Sequence, residues 1–174
     1  PLGMGGQTRA LGDLFTDRQL VALTTFSDLV GEVIERIKRD AIAAGLPDDN
    51  RPLAKVGDGA KVYAEAVGVY LACIVDRMVY YGSSLTTWLP KDNALRDCMP
   101  RQALAMAWDF AEGNPLGKSS GDVSTCCSAV ASYLDVASTN ARGSARQSDA
   151  QSGVQNQQGL VISTDPPYYD NIGY

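Results

Sequence analysis

The chain has 174 residues, 45% apolar and 20% charged, with a formal charge of -5 and no histidine. Its length suits one domain with a sizeable core, and its acidity makes it a poor match for phosphate backbones. Lack of histidine removes the commonest general base and the commonest metal ligand.

Cys73, Cys98, Cys126 and Cys127 include no Cys-x-x-Cys pair, and the adjacent Cys126 and Cys127 would chelate one ion awkwardly. No metal site is expected, and the thiols read as reduced and partly buried. No stretch reads as a signal peptide or a membrane span. The opening Pro1-Leu2-Gly3-Met4 reads as the remnant of a cleaved expression tag, which makes residues 1–4 an engineered start.

Residues 17–44 read as a long amphipathic helix. Thr16 is a suitable N-cap, Gln19 stands at capping-box spacing, and Phe15 and Leu20 are placed as a hydrophobic staple. Leu20, Leu23, Phe26, Val30, Val33, Ile34, Ile37 and Ala41 recur at helical spacing, and Gly45 followed by Pro47 ends the run. Glu32, Glu35, Arg36, Lys38 and Arg39 read as a solvated face.

A loop over residues 47–59 leads to a second helix, roughly Gly59 to Tyr81. Its apolar stripe is Tyr63, Val67, Tyr70, Leu71, Ile74, Val75 and Met78. Residues 82–100 read as a connection of mixed character. Residues 101–112 read as a third, shorter helix ended by Gly113, Asn114 and Pro115. A fourth follows, capped by Ser120 or Asp122, with a stripe of Val123, Cys127, Val130, Leu134 and Ala137.

After Asn140 the composition turns to Ser, Gln, Ala and Gly, which suits a surface loop with room for a short strand near Ala145 to Ala150. Leu160-Val161-Ile162-Ser163-Thr164 then reads as a short buried strand, which needs a neighbour for its backbone. The expected class is therefore mainly α: a bundle of about four helices with one or two short C-terminal β-strands. A helical domain over residues 5–140 precedes a segment over 141–174 holding loop, strand and Asp165-Pro166-Pro167-Tyr168.

That last motif carries chemistry. Two prolines stiffen the turn, Asp165 offers a carboxylate, and Tyr168 offers a flat ring. Methyl transfer to an exocyclic amino group needs such parts. The amine's lone pair is delocalised into the base, and accepting both its N–H hydrogens helps localise it for attack. A base that has left its stack also needs an aromatic surface.

Asp165-Pro166-Pro167-Tyr168 resembles the catalytic motif of amino-group DNA methyltransferases, in the form typical of adenine-N6 enzymes. With Tyr169, Asp170 and Asn171 after it, the run resembles large prokaryotic putative adenine-specific DNA methylases that carry an N-terminal domain of unknown function. Residues 12–30 and 101–116 also resemble segments that precede the motif there.

The resemblance implies S-adenosylmethionine as cofactor, DNA as partner of the parent protein and a prokaryotic cytoplasm as its place. Asp165 would bond the target amino group with help from the Pro166 carbonyl, Pro167 would stiffen the turn, and Tyr168 would stack on the flipped base. Asp149 resembles the acidic position of a neighbouring strand that helps bind the cofactor.

The family's Phe-x-Gly-x-Gly cofactor turn has no counterpart in the sequence. The glycines of residues 3–6 and 57–59 suit turns or caps. The chain is thus expected to be an internal, inactive piece of the enzyme, ending at the edge of a truncated α/β methyltransferase sheet. Its partners would be the remainder of its own polypeptide and, through the exposed strand edge or helix surface, a second copy, with no membrane involved. Two other readings stand beside it: a helical protein-interaction module without catalysis, and methylation of RNA or a protein glutamine by the same motif.

Overall fold

The computed structural model describes residues 11–55, 57–98, 107–137, 147–149, 159 and 161–164. The chain divides into two compact units, residues 1–137 and 138–174. Among the described residues the first unit holds helix α1 (Asp17–Ala43), helix α2 (Ala60–Tyr81), strands β1 (Trp88–Leu89) and β2 (Ala94–Leu95), and helix α3 (Val123–Val136). The protein is mainly helical with one small antiparallel sheet. No helix among the described residues is long and apolar enough to cross a membrane.

Local chemistry sets the ends of α1. The Thr16 hydroxyl accepts from the Gln19 amide, and Gln19 Oε1 accepts from the Thr16 amide at 2.8 Å, a complete capping box. At the other end Gly45 takes φ +97. Its N–H reaches the Ile42 carbonyl at 2.9 Å, and the Leu46 N–H reaches Ala41 at 3.0 Å. This is a Schellman stop, which only a residue tolerant of positive φ supplies cheaply.

Helix α2 is central, packed against both α1 and α3. Its buried face is Ala60, Ala64, Gly68, Ile74 and Met78, while Tyr63 and Tyr70 of the expected stripe are exposed. The reason is close approach: a Cβ on Gly68 would lie 2.6 Å from Ile34 Cδ1 of α1. Small residues let the backbones meet, and the tyrosines are turned outward. Ile74, Met78 and Cys126 form the core cluster, with Leu23, Phe26, Leu71, Val123, Cys127 and Val130 packed around it.

Asp122, not Ser120, caps α3, its carboxylate accepting from the Thr125 amide at 2.8 Å. Hydrogen bonds from Thr125 hold that carboxyl below the usual carboxylate range.

Two expectations are corrected, and the reading of the connection over 82–100 is made finer. Residues 107–112, expected to end a third helix, are irregular, and the Ala111 amide bonds the Thr86 carbonyl at 2.8 Å instead of a helical partner. Residues 101–106 of that expected helix lie outside the described residues. The connection over 82–100 contains a hairpin, Trp88 paired with Leu95 and Leu89 with Ala94, turned through Asn93 at φ +48. Residues 161–164 are not a buried strand: they have no regular structure, Val161 is 99% exposed, and no strand pairs with them among the described residues. Ala145 and Ala150 lie outside the described residues.

Candidate functional site

Asp165, Pro166, Pro167 and Tyr168, with Tyr169, Asp170 and Asn171, lie outside the described residues. Asp149 is described, exposed, in the second unit. The described geometry that offers a cleft lies elsewhere, in the helical unit.

A cleft of about 190 Å³ opens between the first turns of α1, the last turn of α2 and the loop before α3. Ala22 and Leu23 come from α1, Met78 and Tyr81 from α2, Leu95 from β2, and Gly113, Pro115 and Gly121 from the loop. The two loop glycines let the backbone come close. A Cβ on Gly113 would lie 2.5 Å from Leu95 Cδ1, and one on Gly121, at φ +80, would lie 2.4 Å from Tyr81 Cβ. Lacking side chains, Gly113 and Gly121 let the loop press onto Leu95 and Tyr81.

Four side chains with polar groups border this cleft: Arg18, Gln19, Tyr81 and Glu112. Arg18 grips Glu112 through Nη2 to Oε2 at 2.7 Å and Nε to Oε1 at 3.1 Å, and the Thr16 hydroxyl adds a longer bond at 3.4 Å. The Arg18 guanidinium holds the Glu112 carboxyl below its usual range, and Glu112 in turn raises the guanidinium's. Both stay charged and paired at neutral pH. Gln19 is 7% exposed, and its Nε2 is buried without an acceptor. The sequence shows Gln19 as a cap, and the cap uses only its amide oxygen.

The thiols fall outside this cleft. All four are unbonded, Cys126 is buried, and burial pushes its thiol up, away from reactive thiolate character. Among the described residues no group of three His, Cys, Asp or Glu side chains could hold a metal ion. The described lining thus brings together a guanidinium, the carboxylate paired with it, a carboxamide and a phenol.

The cleft also does not fit S-adenosylmethionine. About 190 Å³ matches a single substituted ring, whereas a nucleoside joined to an amino acid needs a pocket several times larger. The charged groups that would meet the cofactor's amino and carboxylate ends are already paired with each other.

Comparison with known proteins gives no relative: no family model, no curated protein and no solved structure matches the chain.

Proposed function

We propose that the chain belongs to an S-adenosylmethionine-dependent DNA methyltransferase that acts on the exocyclic amino group of adenine. One observation carries this reading: the run Asp165-Pro166-Pro167-Tyr168 directly after Leu160-Val161-Ile162-Ser163-Thr164. The four residues supply what amino-group methylation demands of a protein. Asp165 and the Pro166 carbonyl accept the two amino hydrogens, and Tyr168 receives the face of the base. None of these roles requires a histidine, and the chain has none.

On this reading the helical unit accompanies the catalytic segment and does not itself hold the methyl donor. The cleft's size and its paired charges support that division. The chain's charge of -5 supports DNA contact by other parts of the enzyme.

The test is methyl transfer from labelled S-adenosylmethionine to duplex DNA by the product of the intact gene, beside its Asp165→Ala variant. Transfer to adenine that disappears in the folded variant supports the reading. Transfer to RNA or to protein glutamine instead would move the substrate and keep the chemistry. No transfer to any of the three sinks it.

One observation favours a second reading, a helical module that binds a protein partner or a second copy. Tyr63, Val69 and Tyr70 of α2 and Tyr133 and Val136 of α3 are apolar side chains in water. Light scattering of the chain at high concentration separates the two: a monomer that binds no other protein leaves this reading without support.

A further inference from the structure

We propose that the groove between α1 and α3 is covered by a second copy of the chain. The two α3 helices pack antiparallel across a two-fold axis near Val130, and Leu134 of each copy fills the other's groove. The proposal rests on the helical-module reading and names its partner and its contact.

Helices α1 and α3 each pack on α2 rather than on each other. The space between them stays open as a groove of about 140 Å³. Phe26, Leu29 and Val33 come from α1, Leu71 and Val75 from α2, and Cys127 from α3. Leu29 is 43% exposed there. Among the described residues no charged side chain lines the groove, so its occupant must present an uncharged face. The described helices are one short of a four-helix bundle.

Helix α3 supplies both halves of the fit. Its first turns are packed: Cys126 is buried, and Val123 and Cys127 line the groove. Its last turns are bare: residues 131–136 are all exposed. Leu134 continues the stripe of Val123, Cys127 and Val130, yet it is 44% exposed. Asp135 is the one charged side chain in the helix. Ser124, Cys127, Ala131 and Leu134 recur at alternating spacings of three and four, the seam of paired helices, and the small side chains let a second backbone come close. An antiparallel pair centred near Val130 sets Leu134 of one copy beside Cys127 of the other. A two-fold contact uses the same patch twice, so one interface covers both grooves and both bare helix ends. A parallel pair would set the bare ends together and leave the grooves open. An unrelated helix would fill the groove and leave the last turns of α3 in water.

The test has two readouts. Sedimentation and light scattering should find a dimer at high concentration. Leu134→Asp should weaken it about 100-fold or more, because two leucines are lost per dimer at about tenfold each. The second readout is a bridge. In a Cys73→Ser, Cys98→Ser background, Leu134→Cys treated with copper phenanthroline should give a covalent dimer joined from position 134 to Cys127, identified by peptide mass. Within one chain those positions stand about 10 Å apart along α3, too far to bridge. Ser132→Cys, on the far side of α3, should not bridge in the same background. A monomer that binds no other protein removes the helical-module reading and this proposal together. A monomer that binds a different protein overturns this proposal alone. So does a dimer that withstands Leu134→Asp, or one in which Ser132→Cys bridges as readily as Leu134→Cys; either would leave the helical-module reading on Tyr63, Val69 and Tyr70. Where Leu134→Asp does not fold, the bridge decides.

Discussion

Arg18 and Glu112 stand 94 residues apart in sequence and hold each other by two hydrogen bonds of 3.1 and 2.7 Å. The pair fastens the loop before α3 to the first turn of α1. It also predicts a pH dependence. The folded protein lowers the Glu112 carboxyl, chiefly through the Arg18 hydrogen bond. A lowered carboxyl contributes stability above its unfolded pKa and loses it as pH falls through the folded value. Arg18→Ala removes that contribution. The effect at neutral pH is small, because the Arg18 side chain is 83% exposed and water screens the pair. Urea midpoints of the wild type and Arg18→Ala should differ near neutral pH and converge as pH falls below the usual carboxylate range. A gap that stays constant across that range would show that Arg18 acts through packing alone.

Gly121 and Gly45 make a controlled contrast. Both have positive φ, +80 and +97, but only Gly121 has a neighbour in the way. A Cβ on Gly45 meets nothing within 4 Å, so Gly45→Ala should cost only the conformational term, about 1–2 kcal/mol. A Cβ on Gly121 would strike Tyr81 at 2.4 Å, and Tyr81 is held at the end of α2. Gly121→Ala adds overpacking and should cost about 3 kcal/mol or more. Denaturant unfolding of the two variants decides it; equal losses would mean that the loop yields freely around Tyr81.

What could be read from sequence divides along the same line between local and distant causes. The ends of α1 were legible because Thr16, Gln19 and Gly45 act on backbone within a few residues. The buried face of α2 was not. Tyr63 and Tyr70 carry the apolar periodicity, yet Ala60, Ala64 and Gly68 are buried because α1 approaches them closely. The hairpin of Trp88–Leu89 and Ala94–Leu95 is too short for alternation to register. Residues 101–112 read as a helix, but the Ala111 amide bonds the Thr86 carbonyl. In the cleft, Gln19 was visible as a cap, but its idle nitrogen and the union of Arg18 with Glu112 exist only after folding.

Gly68 marks the crossing of α1 and α2. Alanine there gains helix propensity of about 1 kcal/mol, but its Cβ would lie 2.6 Å from Ile34 Cδ1 and 2.8 Å from Cγ1. Overpacking should win, for a net loss of about 1 kcal/mol. Ile34→Val removes the nearer atom. Gly68→Ala combined with Ile34→Val should therefore be more stable than the sum of the two single losses implies, by about 0.5–1 kcal/mol of coupling. Strict additivity in a double-mutant cycle would show that the helices simply move apart.

If Asp165 and Tyr168 act as the methyltransferase reading proposes, their variants should separate by role. Asp165→Asn keeps an acceptor but loses the charge that polarises the amine, so turnover should fall about 10²–10³-fold. Tyr168→Phe keeps the stacking face and should be nearly silent, while Tyr168→Ala should lose about 1–3 kcal/mol of base stacking. Steady-state kinetics with DNA as the varied substrate checks both. Equal defects in Tyr168→Phe and Tyr168→Ala would assign Tyr168 a hydroxyl role in place of stacking.

Thr86 is fully buried and ties three segments together. Its hydroxyl donates to the Tyr81 carbonyl at 3.1 Å, in the last turn of α2, and accepts from the Ser83 amide at 3.4 Å. Its own carbonyl receives the Ala111 amide at 2.8 Å. The hydroxyl thus serves backbone groups that the end of a helix leaves short of partners. Thr86→Val has nearly the same shape and removes only that service, so it should cost about 1–3 kcal/mol, the loss from depriving buried partners of their bonds. Thr86→Ser keeps the hydroxyl and removes one methyl, for about 1 kcal/mol. The order matters more than the size. If calorimetric melting finds Thr86→Val as stable as Thr86→Ser or more so, packing of the methyl, and not the hydrogen bonds, holds this corner of the fold.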